Sequence, residues 1–476
     1  MDMKKTKIVC TLGPSTDVPG VIEQLAEAGM NVARLNMSHG DHDEHRRRIA
    51  QFNSMRERYP GIALLLDTQG PEIRTGIIGE GKLTLDAGQT LVLTTRKVTG
   101  GIDADTGMAT VSVSYERLPM DVVPGSCILI DDGLIELRVT QVEGTEVTCT
   151  AVNGGTLGSR KGINMPGIAP ALDAITPKDI SDIRFGVAEG IDFVAASFTR
   201  RAQDVRDVRV LLDDAGGRDV HIIAKIENQQ GVENLDEILD VADGIMVARG
   251  DLGVEIPLEE VPMVQKSIVA KCVLVGKPVI IATQMLESMV QSPRPTRAET
   301  NDIANSILDG TDAIMLSGET AIGRYPVEAV RTMARVAARA EQSANYGSAP
   351  EHLTKGLTLT GAVSDAACAI ARDLGANVII IPTQSGSTAA QVSRFRPACM
   401  LIATTSKERT MRQLALTWGV TTLLCPVFSN TDELIERSIR LVRQAGYLQP
   451  GNLAIITAGI PVGFSGMTNL IKVHHA

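Results

Sequence analysis

The feature that most constrains the fold is a recurrence of short apolar runs along the chain. Eight such runs occur within residues 1–320, and most are followed by a segment with amphipathic, helical character. The runs are TKIVCTLG, NVARLN, IALLLDTQG, IDFVAASF, HIIAKIEN, GIMVARGDLG, PVIIATQML and AIMLSGET. Apolar strands that alternate with amphipathic helices indicate a parallel sheet covered on both faces. Eight of them predict an α/β fold, a closed (β/α)8 TIM barrel whose functional groups lie at the C-terminal ends of the strands.

The spacing of the runs predicts two further domains. Between residues 71 and 166 the pattern changes to short alternating segments such as KLTLDAGQTLVLTT, divided by glycines, which is typical of β-structure. A polar stretch near 342–356 is interpreted as a linker, and strands and helices alternate again after it. We therefore predict a discontinuous barrel at 1–70 and 167–345, an inserted, β-barrel-like lid at 71–166, and a C-terminal α/β domain at 346–476.

Composition and charge narrow the classes of partner. The chain of 476 residues has a net charge of −10, which disfavours nucleic acid because phosphate backbones need a basic face. The seven cysteines are widely spaced without a CxxC pair, so we expect reduced thiols rather than a zinc site. No apolar run reaches membrane-spanning length, and the N-terminus enters a strand pattern at once. We therefore expect a cytoplasmic protein without membrane contact.

The fifth and sixth runs predict a metal site at neighbouring strand ends. Lys225 and Glu227 are two residues apart, so both side chains point the same way, and Asp251 follows the next strand. Two carboxylates with few other protein ligands suit Mg²⁺, which keeps positions open for water and substrate oxygens. Gly250 and Gly253 leave the backbone bare, so the N–H groups of Gly250 and Asp251 could bind a carboxylate. The alternative is that Lys225 simply neutralises Glu227 inside the barrel.

Other strand ends add basic and hydroxyl groups. They are Arg34, Asn36, Ser38 and His39 from NVARLNMSHG, Asp67, Thr68, Glu72 and Arg74 from LLLDTQGPEIR, and Thr283 from ATQMLESM. Two arginines that converge with a lysine on a magnesium site are typical of phosphoryl transfer, and the hydroxyl of Thr283 could relay a proton. His39 is one of three histidines within seven residues, a pattern that also fits a solvated surface. The sequence contains no Walker A loop and no protein-kinase HRD and DFG motifs.

These segments together resemble the pyruvate kinase family. The matching signatures, in the order of that family, are MNVARLNMSHG, LLDTQGPEIRTG, AKIEN, MVARGDLGVEI, ATQMLESM with PRPTRAE, and GTDAIMLSGETA. The resemblance runs over nearly the whole chain. It implies the last step of glycolysis, transfer of the phosphoryl group of phosphoenolpyruvate to ADP to give pyruvate and ATP. It also implies Mg²⁺ (or Mn²⁺) and K⁺ as cofactors and, usually, a homotetramer.

The resemblance also implies a role for each candidate residue. Glu227 and Asp251 bind Mg²⁺, Lys225 stabilises the moving phosphoryl group, and Thr283 belongs to the delivery of a proton to enolpyruvate. The other substrate contacts are a phosphate contact from Arg34 and a carboxylate contact from the amides of Gly250 and Asp251. The nucleotide contacts are Asn36, His39, Arg74 and, in LGSRKG of the lid, Lys161. The K⁺ ligands are Asn36, Ser38, Asp67 and Thr68.

Glu72 bears on the cation requirement. Family members with lysine at this position are thought to work without K⁺, because the ammonium group can replace the cation. This chain carries Glu72, so the resemblance implies that it needs a monovalent cation.

A second candidate site follows the strand NVIIIPT of the C-terminal domain. Its hydroxyl-rich loop precedes a helical segment and comprises Thr383, Ser385, Gly386, Ser387 and Thr388. Free N–H groups and the helix dipole suit a phosphate, although serine and threonine are also ordinary helix caps. The resemblance implies a phosphorylated-sugar effector here. Because the closing loop GIPVGFSGMTN offers no cation and lacks the Trp-Arg-Pro-Gly stretch of some members, we expect ribose 5-phosphate or glucose 6-phosphate rather than fructose 1,6-bisphosphate.

Two other classes of function stay open at this point. A magnesium-dependent lyase or aldolase on the same barrel, acting on oxaloacetate-like acids, explains the two carboxylates and the glycine amides. A lyase or aldolase would leave Lys225, Arg34, Arg74 and the lid without a role. A non-catalytic metabolite sensor would use only the C-terminal α/β domain. Formation of pyruvate from phosphoenolpyruvate and ADP separates the three hypotheses.

Overall fold

Four sheets organise the part of the chain that the structure describes. The structure, a computed structural model, describes residues 4–102, 107–344, 353, 357–427, 430–460 and 467–476. The sheets are a closed eight-stranded barrel, a seven-stranded sheet, a two-stranded sheet and a five-stranded sheet. Within the described residues, no helix is long and apolar enough to cross a membrane. Each of the seven cysteines is a free thiol.

The first segment of the chain supplies three strands and two helices of the barrel. These elements are β1 (Lys7–Leu12), α1 (Val21–Ala28), β2 (Val32–Asn36), α2 (His42–Met55) and β3 (Ala63–Asp67). Asp41 caps α2, its side chain accepting the N–H of Glu44. The parallel register of β2 and β3 places Asn36 beside Asp67. The candidate residues at these two strand ends are therefore neighbours.

The inserted segment is rich in β-structure, as predicted. Its elements are β4 (Lys82–Leu85), β5 (Thr90–Thr94), β6 (Gly101–Ile102), β7 (Ala109–Ser112), α3 (Leu118–Asp121), β8 (Cys127–Ile130), β9 (Ile135–Glu143), β10 (Glu146–Ala151), β11 (Gly155–Gly158) and β12 (Ile163–Asn164). The larger sheet has the order β12-β8-β9-β10-β5-β7-β6, and β11 pairs with β4. Alternate residues of β10 are buried, which gives this segment an apolar core of its own.

Five more strands close the barrel in the order β1-β17-β16-β15-β14-β13-β3-β2. The elements are α4 (Pro177–Ala188), β13 (Phe193–Ala196), α5 (Ala202–Asp214), β14 (His221–Ile226), α6 (Gln229–Glu233), α7 (Leu235–Val241), β15 (Gly244–Ala248), α8 (Arg249–Glu255), α9 (Val261–Val275), β16 (Val279–Ala282), α10 (Arg297–Leu308), β17 (Ala313–Leu316), α11 (Gly318–Ala321) and α12 (Pro326–Ser343). All eight apolar runs are barrel strands, so the prediction of the barrel is confirmed. Because β14 pairs with β15, the groups that follow these two strands are also neighbours.

The C-terminal segment forms a five-stranded sheet in the order β20-β19-β18-β21-β22. Its elements are α13 (Leu359–Asp373), β18 (Val378–Pro382), α14 (Ser387–Ser393), β19 (Met400–Thr405), α15 (Glu408–Gln413), β20 (Val420–Leu424), α16 (Thr431–Gln444), β21 (Leu453–Ala458) and β22 (Leu470–His475). Strands β18 to β21 are parallel and alternate with helices, as predicted for this domain. The antiparallel strand β22 was missed, although its alternation of apolar and polar residues is a strand signal. Most of the predicted linker falls on 345–352 and 354–356, outside the described residues.

The interior of the barrel is completed by the C-terminal segment. A short helix, Leu414–Leu416, brings Leu416 into the apolar cluster inside the barrel, where Leu416 has no exposed surface. Beside it, Arg412 Nε donates to Asp192 Oδ1 at 2.8 Å. Asp192 directly precedes β13, so this contact lies at the N-terminal mouth of the barrel. We call Leu414–Leu416 the floor segment, because it closes the mouth opposite the candidate site.

Candidate active site

A buried network of opposite charges joins three strand ends of the barrel. Arg34 Nε donates to Asp67 Oδ2 at 2.6 Å. Lys225 Nζ lies 3.1 Å from Asp67 Oδ1 and 2.8 Å from Glu227 Oε1, and it donates to Ser197 Oγ at 2.8 Å. Asp67 and Glu227 have no exposed surface, and Arg34 and Lys225 are nearly as buried. Buried charges are tolerated when they are paired, so these groups hold one another in place.

The pairing fixes the charge of the central lysine. Burial by itself lowers the pKa of Lys225, but the carboxylates of Asp67 and Glu227 outweigh it and raise this pKa above its ordinary value. Burial likewise raises the pKa of Asp67, whereas Arg34 and Lys225 hold it below its ordinary value. Lys225 does neutralise Glu227, but it also binds Asp67, so neutralising one partner is not its whole role.

Three carboxylates, of Asp67, Glu227 and Asp251, face only two cations, Arg34 and Lys225, so one negative charge is left unbalanced among these five residues. The N–H of Phe198 donates to Glu227 Oε2 at 2.6 Å and directs the carboxylate. Oε1 is buried, and its partner is the ammonium group of Lys225, 2.8 Å away. Burial raises the pKa of Glu227 to about 7 and raises that of Asp251 as well. Such carboxylates fit a divalent cation.

The donor set also limits how such a cation would be bound. Within the described residues, no group of three or more His, Cys, Asp or Glu side chains is placed to bind a metal ion. Two carboxylates are therefore the acidic ligands available, and the other positions would belong to water or substrate oxygens, as Mg²⁺ prefers.

Thr283 lies on a strained loop beside α8. The N–H of Gly250 donates to Thr283 Oγ1 at 2.8 Å, and this hydroxyl donates to the carbonyl of Ala282 at 2.6 Å. Thr283 and Gln284 have φ of 65° and 54°, a left-handed conformation that is rare for residues other than glycine. The amide of Gly250, predicted to bind a substrate carboxylate, is thus bonded to Thr283 in this structure.

The two glycines after β15 have different surroundings. They belong to the seven-residue helix Arg249–Glu255 rather than to an open loop. A Cβ atom on Gly253 would lie 3.5 Å from Leu258 Cδ1, whereas one on Gly250 would lie 3.5 Å from Thr283 Oγ1. Both glycines therefore make ordinary contacts with their own chain, and the approach of a ligand to Gly253 stays a prediction.

A cavity of about 560 Å³ separates the strand ends from the inserted segment. Asn164 of β12 donates to Glu255 of α8 at 2.7 Å, so the inserted segment stands over the strand ends. Arg74 Nε donates to Glu72 Oε2 at 2.6 Å, which sets a basic group beside an acidic one on the cavity wall. The cavity brings together the predicted nucleotide contacts His39, Arg74 and Lys161 with Glu72, Phe198 and Asp251.

The four candidate K⁺ ligands gather at the ends of β2 and β3. Asn36 is the register neighbour of Asp67, and its Oδ1 accepts the N–H of Ser38 at 3.1 Å. Thr68 Oγ1 accepts the N–H of Ser197 at 3.1 Å. The carboxylate of Asp67 already binds two cationic side chains, so the added charge at this edge is small. Three neutral oxygen donors, with one carboxylate that two cations already balance, suit a monovalent cation better than a divalent one.

The loop between β18 and α14 is shaped by its own hydrogen bonds. Thr383 Oγ1 accepts the N–H of Gly386 at 3.0 Å, and Gly386 has a φ of 83°. The hydroxyls of Thr388 and Thr468 lie 2.9 Å apart, while Ser385 and Ser387 are at least partly exposed. No side chain caps α14, so the ordinary cap considered for this loop is not seen. Residues 461–466 of the closing loop, on which the choice of effector depends, lie outside the described residues.

Several residues of the site were missed by sequence reasoning. Ser197 and Phe198 follow β13 and connect Lys225 and Glu227 to the neighbouring strand. Arg249 follows β15 and binds the Thr283 loop. Their position directly after barrel strands is the signal that could have pointed to them.

Known proteins resemble both the fold and the sequence. A family model described as the pyruvate kinase barrel domain matches residues 3–330, and one described as the pyruvate kinase alpha/beta domain matches 361–474. The pyruvate kinase of Geobacillus stearothermophilus is 50% identical over 476 residues, 99% of this chain and 80% of that protein. That of Clostridium acetobutylicum is 49% identical over 475 residues, 99% of each chain.

A solved structure gives the same result. The crystal structure of a pyruvate kinase from Cryptosporidium parvum matches with a TM-score of 0.91 and 38% identity, over 99% of this chain and 96% of that one. Barrel, inserted segment and C-terminal sheet thus match along nearly the whole length. The chain belongs to the pyruvate kinase family of phosphotransferases.

Proposed function

We propose that the protein transfers the phosphoryl group of phosphoenolpyruvate to ADP at the strand ends beneath the inserted segment. An oxygen of the terminal phosphate of ADP forms a bond to phosphorus while the bond from phosphorus to the enol oxygen breaks. The released enolate takes up one proton at its terminal carbon, so one pyruvate, one ATP and no free phosphate result. The observation that carries this proposal is the buried lysine between two carboxylates, at strand ends whose Phe198 and Asp251 line the 560 Å³ cavity.

Lys225 and Arg34 neutralise charge on the phosphoryl group. Both are buried cations fixed by Asp67, so they need no rearrangement as charge moves during transfer. The raised pKa of Lys225 supports a permanently charged ammonium group, which suits electrostatic stabilisation better than the release of a proton. A different group should then protonate the enolate.

Thr283 is the group that we assign to proton delivery. Its hydroxyl accepts the N–H of Gly250, the residue before Asp251. We assign the amides of Gly250 and Asp251 to the carboxylate of the substrate, so the hydroxyl lies near the substrate. A threonine hydroxyl has too high a pKa to lose its proton permanently, so it acts by relaying one from water.

The cations complete the charge balance. Glu227 and Asp251 would hold Mg²⁺ or Mn²⁺, which supplies positive charge to phosphoryl and enolate oxygens. The excess of three carboxylates, of Asp67, Glu227 and Asp251, over the two cations Arg34 and Lys225 supports this assignment. Asn36, Ser38, Asp67 and Thr68 would hold K⁺ at the adjoining strand ends, as proposed for the candidates at β2 and β3.

The nucleotide is assigned to the cavity wall under the inserted segment. His39, Arg74 and Lys161 line this wall, and Asn36 ends the adjacent strand. Lys161 Nζ lies 2.9 Å from Asp131 Oδ1, so its charge is held within the inserted segment until a phosphate competes for it. The segment at 71–166 would act as a lid on this face of the barrel at 1–70 and 167–345.

Regulation is assigned to the C-terminal domain at 346–476. We infer that a sugar monophosphate binds Thr383, Ser385, Gly386, Ser387 and Thr388 in a cytoplasmic homotetramer. The uncapped start of α14 and its partly exposed hydroxyls support a phosphate at this loop.

The proposal is tested by coupling pyruvate formation to NADH oxidation through lactate dehydrogenase. Pyruvate should form only when phosphoenolpyruvate, ADP and Mg²⁺ are all present, with one ATP for each pyruvate. Glu227→Gln and Asp251→Asn should each raise the Mg²⁺ concentration needed for activity. Cleavage of an oxaloacetate-like acid without nucleotide would favour the lyase instead, and unchanged Mg²⁺ requirements would remove the metal assignment.

A further inference from the structure

Arg249 binds the loop around Thr283 through several hydrogen bonds in addition to its ion pair with Asp302. Its Nη2 donates to the carbonyl of Thr283 at 2.7 Å and lies 2.8 Å from Met285 Sδ, and its Nε donates to the carbonyl of Ala282 at 3.3 Å. Nη1 binds both carboxylate oxygens of Asp302 on α10, at 2.8 Å and 2.7 Å. The side chain of Arg249 is 11% exposed. Its guanidinium group therefore connects the Thr283 loop to helix α10.

The loop that Arg249 binds is strained. Thr283 and Gln284 both adopt positive φ, and a β-branched residue such as threonine is a strong outlier there. Strained backbone persists only where the surroundings over-determine it. The two carbonyls bound by Arg249 flank the Cα atom of Thr283, so the guanidinium group fixes the peptides on either side of the strained residue.

We propose that Arg249 is a positioning residue for protonation, acting through Thr283 rather than on the substrate. This inference rests on the proposed function and deepens it. Arg249 directly precedes Gly250, whose N–H donates to the hydroxyl of Thr283. Arg249 binds the backbone around Thr283 and Gly250 binds its hydroxyl. These two consecutive residues therefore fix the position of Thr283 relative to Asp251, which follows them in the chain.

Lysine cannot replace arginine in this role. Arg249 uses three nitrogen atoms in a planar fork to reach a carboxylate and two carbonyls in different directions. An ammonium group at the same position could keep the ion pair with Asp302 but not both carbonyls. Arg249→Lys should therefore keep the charge and release the loop.

The experiment separates the two halves of the reaction. Phosphoryl transfer is measured as single-turnover formation of ATP from phosphoenolpyruvate and ADP. Protonation is measured by NMR as exchange of the methyl hydrogens of pyruvate with D₂O in the presence of Mg²⁺, K⁺ and ATP. In Arg249→Lys we expect exchange to fall about 10²-fold, because small displacements of a catalytic group have effects of this size. ATP formation should fall by a much smaller factor, with the KM for phosphoenolpyruvate near that of the wild type.

Two further variants make the test specific. Arg209 also binds two backbone carbonyls, of Arg218 and Val220, and an aspartate, Asp243, but it lies before the N-terminal ends of β14 and β15. Arg209→Lys should leave the ratio of exchange to transfer unchanged. Gln284→Gly accepts positive φ without strain, so it should restore part of the exchange in the Arg249→Lys background.

The outcomes are distinct. Equal losses in both half-reactions, an unchanged exchange rate, or the same change in Arg209→Lys would overturn the positioning role. If Arg249→Lys does not fold, the ratio of exchange to transfer is measured in Asp302→Asn instead. This variant removes the ion pair that holds Arg249 but keeps Arg249 itself. A wild type that forms no pyruvate would instead overturn the proposed function, whereas a wild type that forms pyruvate leaves the ratio in the variants as the test of Arg249.

Discussion

Metal binding at Glu227 and Asp251 should displace a proton, in a pH range that follows from the burial of Glu227. Without a metal ion, burial raises the pKa of Glu227 from 4.5 to about 7. The protonated form is therefore favoured below pH 7, and a cation must compete with the proton. Glu227 therefore becomes more fully ionised as the pH rises from 6 to 8, and the apparent Kd should fall by up to about tenfold over this range. The raised pKa of Asp251 acts in the same direction.

The assay is direct binding of Mn²⁺, followed by electron paramagnetic resonance of the free ion at pH 6, 7 and 8. Calorimetry in two buffers of different ionisation enthalpy should count the proton released on binding. Glu227→Gln should bind Mn²⁺ more weakly and with a flatter pH dependence. Glu255→Gln is the matched control, because burial also raises the pKa of Glu255 but its carboxylate binds Asn164. A Kd that is equal at pH 6 and pH 8 would refute the reasoning, and so would loss of the pH dependence in Glu255→Gln.

Three further predictions concern charge at the two candidate sites. Lys225→Met should slow phosphoryl transfer by about 10²- to 10³-fold and keep hydrogen exchange into pyruvate; loss of exchange as well would make Lys225 the proton donor. The wild type should need K⁺, and Glu72→Lys should relax this need in activity assays with tetramethylammonium as the only other cation; full wild-type activity in that buffer would contradict the K⁺ site. Ser387→Asp should abolish activation by ribose 5-phosphate or glucose 6-phosphate at subsaturating phosphoenolpyruvate, because it puts an anion where the phosphate would bind. Equal activation of the variant would remove this loop as the effector site, and stronger activation by fructose 1,6-bisphosphate would change only the ligand.

The sequence predicts the parts of this fold that depend on local pattern. The eight apolar runs became barrel strands because an apolar strand must be covered on both faces. The barrel order then makes β14 and β15 neighbours, which is why Glu227 and Asp251 could be paired from sequence alone. The β-rich inserted segment was predicted from a change of period, a signal that needs no knowledge of contacts.

Contacts between distant residues could not be predicted in this way. Arg249 and Asp302 are 53 residues apart, and the sequence around one of them does not predict the other as its partner. The positive φ of Thr283 has no local signal, since threonine and glutamine do not favour it. A glycine needed for packing and one needed for ligand approach look alike in sequence, so the sequence does not distinguish Gly250 from Gly253.

The floor segment has a consequence for how such proteins can diverge. Leu416 supplies apolar volume inside the barrel, although it belongs to the C-terminal part of the chain. Recombination that exchanged C-terminal domains between relatives would therefore also exchange part of the barrel's interior. A donor domain with a larger or smaller residue here would leave overpacking or a void at the centre of the enzyme. The chain can acquire a new C-terminal domain only if that domain also fits the barrel, so the two must evolve as a matched pair.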